Sequence, residues 1–497
     1  MRPAQTYRLC IGLMHRAAAH HTLAPSQKKG RWYPTIPTPP PCRFPLYASR
    51  FGSSNSRPCA CAASRLHRAA LRLYAVCYGF LIIQSTCGEP VRTSPATRIP
   101  TITQHEENPM STYRTAIIAC GTIARVHARG WLGVPGQPTQ IAAIADTNPD
   151  ARREFGDFFQ VGEDHRYADY REMLDRERPD FVDVCSWHQQ HAEMVIAAAA
   201  RRPKAILCQK PMAVDLGEAD EMLTACARNG VKLIIAYQRP HHATWLKARD
   251  LIRQGVIGKV QQVQLDDGGN ILNTNSHNIR LALFLMDEPQ VEWVMGSVER
   301  TTDQVERGLP AEDACLGLAG CANGATILIQ GNLIQGLGQG CRVIGTEGIM
   351  ELDTTYHPDS EIPSDAPMYM PEGPSARYNY EIGTVRYLNS SSQGWQRVEA
   401  PWHDAWAHQC QEAIDWVEGR IDTPISSAER ARAVQEVMMA LFESARKRQR
   451  IYLPLKTRVN PLKLMVENGD LPVEWPGRYE RRSRLVRGEA MSWHQQK

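Results

Sequence analysis

Ala116-Ile117-Ile118-Ala119-Cys120-Gly121-Thr122-Ile123-Ala124 is the stretch from which the fold can be read. It starts as a short apolar run suited to a buried parallel strand. The run breaks at Gly121 and passes into Ile123-Ala124-Arg125-Val126-His127-Ala128, which can open a helix. A strand, a tight turn and a helix N-terminus together form a pyrophosphate site. Backbone N–H groups and the helix dipole converge on the anion, and small residues let it approach. The fingerprint of such a turn is G-x-G-x-x-G/A. Here it reads Ala119-x-Gly121-x-x-Ala124, with Thr122 and Ile123 between the last two and alanine in place of the first glycine. The next apolar run, Ile141 to Ala145, ends at Asp146. An acid roughly 20 residues beyond the glycines can hydrogen-bond an adenosine ribose, and its charge repels a 2′-phosphate, favouring NAD over NADP. Asp146 would equally serve as the N-cap of a helix after Pro149.

Outward from this turn the rhythm is βα. Strands are expected near 114–120, 140–146, 181–185, 205–208 and 231–236, with helices from about 123, near 149–159, up to Arg178, over Ala192–Ala199 and over Asp215–Arg228. Tyr167 and Tyr170 fall in a loop. This alternation predicts a doubly wound parallel sheet, an α/β Rossmann domain over 110–238. After a helix at about 242–254 the texture changes to longer strands such as Val260–Leu265 and Ala325–Gln330. An α+β domain over 239–456 with an open, mostly antiparallel sheet is expected, closed by amphipathic helices near 404–418 and 427–446. Gly336, Gly338 and Gly340 have no helix after them and read as bulges or turns. Residues 457–497 read as an extension packed on the body, with an apolar stretch at Leu462–Val466 and a charged one at Arg478–Arg487.

The charge of the 497-residue chain is unevenly placed. Residues 1–109 carry 14 Lys and Arg against three acids, whereas the remainder carries 43 basic and 50 acidic residues. A mildly acidic body argues for a small-molecule enzyme and against nucleic-acid binding. The first segment is broken by Pro34, Pro37 and Pro39–Pro41, and its one apolar run, Leu73–Ile83, is far short of the roughly 20 residues a bilayer needs. It reads as a leader ahead of a true start at Met110, or as an organellar transit peptide. The expected location is accordingly the cytoplasm, or an organelle in the second case. Six of the 14 cysteines lie in that segment; the other eight are scattered singly, so free thiols in a reducing compartment are expected and no cysteine zinc site. His188 and His191 form an H-x-x-H without a partner acid, and no metal is expected there.

From about 113 to 455 the chain resembles the glucose–fructose oxidoreductase / inositol dehydrogenase / MocA family. Cys120-Gly121-Thr122-Ile123-Ala124 with His127 is similar to that family's opening turn, Ser186-Trp187-His188-Gln189-Gln190-His191 to its T-P-N-x-x-H, and Cys208-Gln209-Lys210-Pro211-Met212-Ala213 to its C-E-K-P-x-A. Gln254–Val260 resembles the boundary before the second domain, and Arg342–Gly348 a G-T-x-G turn. Asn273-Thr274-Asn275-Ser276-His277 aligns with D-x-G-x-H. The resemblance implies an NAD-dependent oxidation or reduction of a sugar or polyol hydroxyl, with the second sheet as subunit interface of a homo-oligomer. It also implies cofactor contacts from Ser186, His191 and Lys210, catalysis by Lys210 as oxyanion stabiliser and His277 as general base, and substrate contacts from Gln238, Arg239 and His241. Arg239 and His241 would equally cap the helix that follows, and Trp187 would stack on the cofactor or fill the strand end.

Hydride transfer from a secondary alcohol needs a base for the hydroxyl proton and a cation for the developing oxyanion, roles for which a histidine titrating near neutrality and a lysine are suited. Two family carboxylates are replaced, by Asn273 and Gln209. Asn273 can orient a hydroxyl but cannot stabilise an imidazolium as a carboxylate does. These changes leave two rivals to the dehydrogenase reading. One is a lyase or glycosidase that uses NAD transiently without net redox change; the other is a non-catalytic nucleotide-binding family member. Resembling sequences with Q-K-P also exist, so the changes can mark a subgroup.

Overall fold

The computed structural model describes residues 112–266, 269–333, 340–353, 384–401 and 403–474. The expectations for residues 1–109, Gly336, Gly338 and Arg478–Arg487 lie outside these.

The opening stretch folds as expected. β1 (Tyr113–Ile118) runs through the turn into α1 (Thr122–Leu132). β2 (Thr139–Ala145), α2 (Pro149–Phe158), β3 (Arg166–Tyr167), α3 (Tyr170–Glu177), β4 (Phe181–Val184), α4 (His191–Ala199), β5 (Ala205–Gln209), α5 (Leu216–Asn229) and β6 (Lys232–Ala236) follow. The six strands form one parallel sheet in the order β3-β2-β1-β4-β5-β6. The segment read as a loop at Tyr167 is therefore a short edge strand, held by β2. Strand residues alternate between two cores, Ile117 and Leu207 facing one and Ile118 and Cys208 the other. Asn148, not Asp146, caps α2, its side chain accepting from Asp150 and Ala151 N–H with Pro149 behind it.

The second domain begins with α6 (Ala243–Arg253) and β7 (Val260–Asp266). A π-helical turn, Ile271–Asn275, leads into the buried helix α7 (Ser276–Leu285). Then come β8 (Val291–Glu299), β9 (Val305–Glu306), β10 (Leu309–Pro310), β11 (Ala314–Cys321), β12 (Thr326–Gly331), β13 (Gly340–Gly345), β14 (Gly348–Asp353), β15 (Thr384–Asn389) and β16 (Gln396–Glu399). The chain ends its described course with α8 (Ala405–Val417), α9 (Ala428–Lys447), β17 (Ile451–Tyr452) and α10 (Pro461–Glu467). The large sheet has the order β16-β15-β14-β13-β7-β12-β11-β8-β17, antiparallel except where β7 meets β12. α9 covers it closely, because a Cβ on Gly296 or Gly317 would fall 2.7 or 2.6 Å from the Leu441 side chain. On the sheet's opposite face, Met295 on β8 and Leu316 on β11 are about half exposed among the described residues.

Of the two helices expected to close the second domain, α9 does so and α8 does not. α8 buries Cys410, Ala413 and Ile414 in the same core as Ile117 and Trp131, and the backbone of Trp406 lies 3.0 Å from where a Cβ on Gly130 would sit. The start of the extension is packed on the body. Arg458 O accepts from Gly217 N–H, Asn460 Nδ2 donates to Val214 O, and Leu462 and Met465 of α10 are buried.

Candidate active site

Where β1 ends, Ala119 adopts a left-handed conformation with φ 73°, which lets the chain turn sharply into α1. Gly121 is the helix N-cap and provides no side-chain cap, and the first turn of α1 carries no acid. The N–H groups there are left for an anion. A Cβ on Gly121 would meet no protein atom within 4 Å, and Gly121 lines a cleft of about 770 Å³. Ala119, Thr122, Ile123, Asp146, Ser186 and Lys210 line the same cleft. Ala124 lies beneath it, fully buried in the core. Asp146 sits just past β2, where one carboxylate oxygen accepts from Cys120 N–H at 2.7 Å and the other from Asn148 N–H at 2.8 Å. Each oxygen keeps a further lone pair for a ribose diol. A bare helix N-terminus, an open cradle at Gly121 and an oriented acid fit a dinucleotide.

His191 starts α4 but does not face a ligand. Its Nδ1 and Nε2 lie 3.0 Å from the carbonyls of Pro211 and Ser186, and burial pushes its pKa down to about 4, so the neutral ring donates to one of the two at a time. Its neighbour His188 lines the cleft, and its Nε2 is buried without a partner. Burial, ahead of the nearby positive charges, pushes His188 down to about 2, so the ring is neutral at physiological pH.

Lys210, in the cleft wall, meets Asn273, 63 residues away in sequence. Lys210 Nζ donates to the Asn273 side-chain oxygen at 2.8 Å and to its carbonyl at 3.1 Å. The π-helical turn makes this possible, being pinned by Asn270, whose side chain accepts from Asn273 N–H, and by Glu312, which accepts from Ile271 N–H. His277 lies one turn further on, 4 % exposed, edge-on to Tyr237 and with Nδ1 unpartnered. It is not a group titrating near neutrality. Burial first, then the charges of Lys210, Arg239 and His242, hold its pKa well below the ordinary value. Arg239 is buried beside it, 3.5 Å from Asn278 Oδ1, and Gln238 is half-buried at the start of that turn.

His241 is the departure. Its ring turns away from Lys210 and Asn273 into the interface with α8, with Nδ1 3.0 Å from His408 Nδ1 and Nε2 2.9 Å from Ser426 Oγ. It is no substrate contact in this arrangement, because its ring is fully buried among residues of the last third of the chain.

Two features escape the sequence reading. The hairpin β9–β10 turns on Arg307 and Gly308, both with positive φ as a two-residue turn requires, and places Arg307 in the cleft wall. The only signal was the Arg-Gly pair. Beneath Lys210 lies a buried polar chain. Asp183 on β4 accepts from Trp131 Nε1 at 2.8 Å and pairs with His127 Nδ1 at 2.9 Å. His127 Nε2 is 3.5 Å from Gln209 Nε2, while Gln209 Oε1 accepts from Lys210 N–H. Gln209 thus braces the lysine's backbone.

Comparison with known proteins agrees with this architecture. Residues 113–237 match the oxidoreductase family with an NAD-binding Rossmann fold, and residues 249–455 match that family's C-terminal alpha/beta domain. An uncharacterized oxidoreductase, YrbE of Bacillus subtilis, is 26% identical over 299 residues, covering 56% of this chain and 85% of that protein. Myo-inositol 2-dehydrogenase of Thermotoga maritima is 25% identical over 251 residues, 47% of this chain and 73% of that protein. Among solved structures, aldose-aldose oxidoreductase from Caulobacter crescentus complexed with glycerol shares the fold, with a TM-score of 0.57 at 19% identity over 69% of this chain and 100% of that one. The two matched domains span most of the chain, which belongs to the oxidoreductase family with an NAD-binding Rossmann fold, Gfo/Idh/MocA.

Proposed function

We propose that the chain oxidises or reduces a secondary hydroxyl of a sugar, polyol or related compound, with NAD held in the cleft. The observation that carries this reading is the contact of Asn273 with the cleft-lining Lys210, with the unpartnered Nδ1 of His277 one turn away. A relative named for myo-inositol supports the substrate class.

NAD, held by the turn Ala119–Ile123 and by Asp146, would supply the hydride acceptor or donor. Lys210 provides a cation beside the substrate oxygen, held in place by two acceptors from Asn273, where it stabilises developing negative charge. His277 provides an uncharged imidazole able to accept the hydroxyl proton. Arg239 orients the substrate from the same side, and His188 Nε2, buried and unpartnered, offers a further polar contact from the cleft wall. Asp146 favours NAD over NADP by the charge argument above.

The eight free, buried cysteines among the described residues support a reducing compartment, hence the cytoplasm. No described helix is long and apolar enough to cross a membrane. The half-exposed apolar side chains of Met295 and Leu316 support a homo-oligomer joined through the second sheet.

The test is NADH formation by the full chain against a panel of polyols and aldoses. Turnover is expected with at least one of them, and Lys210→Met should lower kcat by about 10³ while weakening NAD binding far less, since Lys210 is only one of the residues lining the cleft. NAD binding without NADH from any hydroxyl compound would overturn the reading. Glycoside cleavage without net NADH would move it to chemistry that recycles the cofactor.

A further inference from the structure

The packing that removes His241 from the substrate site builds another one. α8 carries His408 and Glu412 four residues apart, on one helix face. The turn Arg239–His241 sets His241 opposite them. His241 Nδ1 lies 3.0 Å from His408 Nδ1 and 4.0 Å from Glu412 Oε2, and the three ligand atoms all fall within 4.8 Å of one another. His241 is fully buried, whereas His408 and Glu412 are partly exposed, so the cluster can be reached from solvent.

The hydrogen bonds around His241 decide where its proton sits. Ser426 Oγ has one proton and donates it to Tyr237 O at 3.2 Å. With that proton so placed, the 2.9 Å contact with His241 Nε2 is one in which the imidazole donates. That leaves Nδ1 as a bare lone pair aimed at a second imidazole nitrogen and near a carboxylate. A ring held by its far N–H, with its other nitrogen turned to a shared point, is how metal-binding histidines are oriented. Tetrahedral zinc with bonds of roughly 2.0–2.1 Å sets neighbouring ligand atoms about 3.3 Å apart. The observed 3.0 and 4.0 Å bracket that spacing.

We infer that His241, His408 and Glu412 bind a divalent transition metal, zinc by preference, with the fourth position left to solvent. Two imidazoles and one carboxylate suit zinc and not calcium or magnesium, which take oxygen ligands. The metal fastens α8, which covers the Rossmann sheet, to the turn that carries Arg239. Neither Lys210 nor His277 belongs to the cluster, so metal binding and NAD reduction can be read separately.

The experiment strips the full chain with a chelator and titrates it with Zn²⁺, and in parallel with Co²⁺, following metal stoichiometry, visible absorbance and Tm. His408→Gln and Glu412→Gln are compared with the unaltered chain, with NAD binding as the check on folding. The unaltered chain is expected to take up one zinc more than either variant, with affinity falling about 100-fold in His408→Gln. Bound cobalt should give the visible bands of a four-coordinate nitrogen and oxygen site, and zinc should raise Tm only in the unaltered chain. Equal zinc uptake and equal Tm shifts in all three proteins would leave a hydrogen-bonded histidine pair and overturn the metal. An unaltered chain that gives no such cobalt spectrum would overturn it whatever the variants do.

Discussion

Ala119 shows what one side chain costs at a turn. Its φ of 73° is easy for glycine, while an alanine there carries a steric cost of about 1–2 kcal/mol. Glycine also loses more chain entropy on folding, so Ala119→Gly should stabilise the protein by only about 0.5–1 kcal/mol in urea unfolding. NAD binding should survive, since Gly121 and the N-terminus of α1 are untouched. Arg307 makes the converse case, a cation brought into the cleft wall from the second domain. Its loss in Arg307→Ala should raise the Kd for NAD about tenfold, read by intrinsic fluorescence, through loss of a charge-assisted contact to a phosphate.

β4 and α1 are joined by a buried charge rather than by apolar contact alone. Asp183 is fully buried and is approached by His127, Trp131 and the Cys185 thiol. Burial ahead of the Asp183 charge pushes that thiol well above its ordinary pKa, so the cysteine is an inert donor. Removing the acceptor leaves the Trp131 indole N–H and the His127 Nδ1 without a partner in a dry core. Asp183→Ala should therefore cost about 3 kcal/mol or more in denaturant unfolding. It should also weaken turnover more than NAD binding, because Gln209 and the backbone of Lys210 rest on His127.

Across both domains, stability should carry the imprint of Glu312. Burial, and secondarily the charges of Glu306 and Asp313, push its carboxyl from the ordinary 4.5 up to about 8. The fold keeps the proton where the unfolded chain releases it. The stabilisation is thus complete below about pH 4.5 and is lost as pH rises towards 8, with a slope of up to about 1.4 kcal/mol per pH unit. Glu312→Gln should flatten the stability profile in that window. The half-exposed pair on the second sheet supports a second expectation. If the chain assembles through this sheet as proposed, Met295→Arg combined with Leu316→Glu should give monomer in sedimentation with the fold unchanged, because both side chains already lie half exposed.

The order of strands and helices was legible because it rests on local causes. Apolar runs of strand length, caps such as Asn148 and Asp215, and the break at Gly121 act within a few residues. The dinucleotide turn and Asp146 were legible for the same reason, as were Lys210 and Asn273 as separate candidates. Their contact was not, since it depends on a π-helical turn pinned by Glu312, 41 residues away from Ile271. His277 and His241 looked alike in the sequence, each a histidine beside a family motif. Packing against α8, 167 residues further along, turned His241 away from the cleft, and burial among cations made His277 a neutral ring. Backbone conformation is chosen largely by neighbours in the chain, whereas side-chain direction and charge are set by whatever the tertiary fold packs beside them.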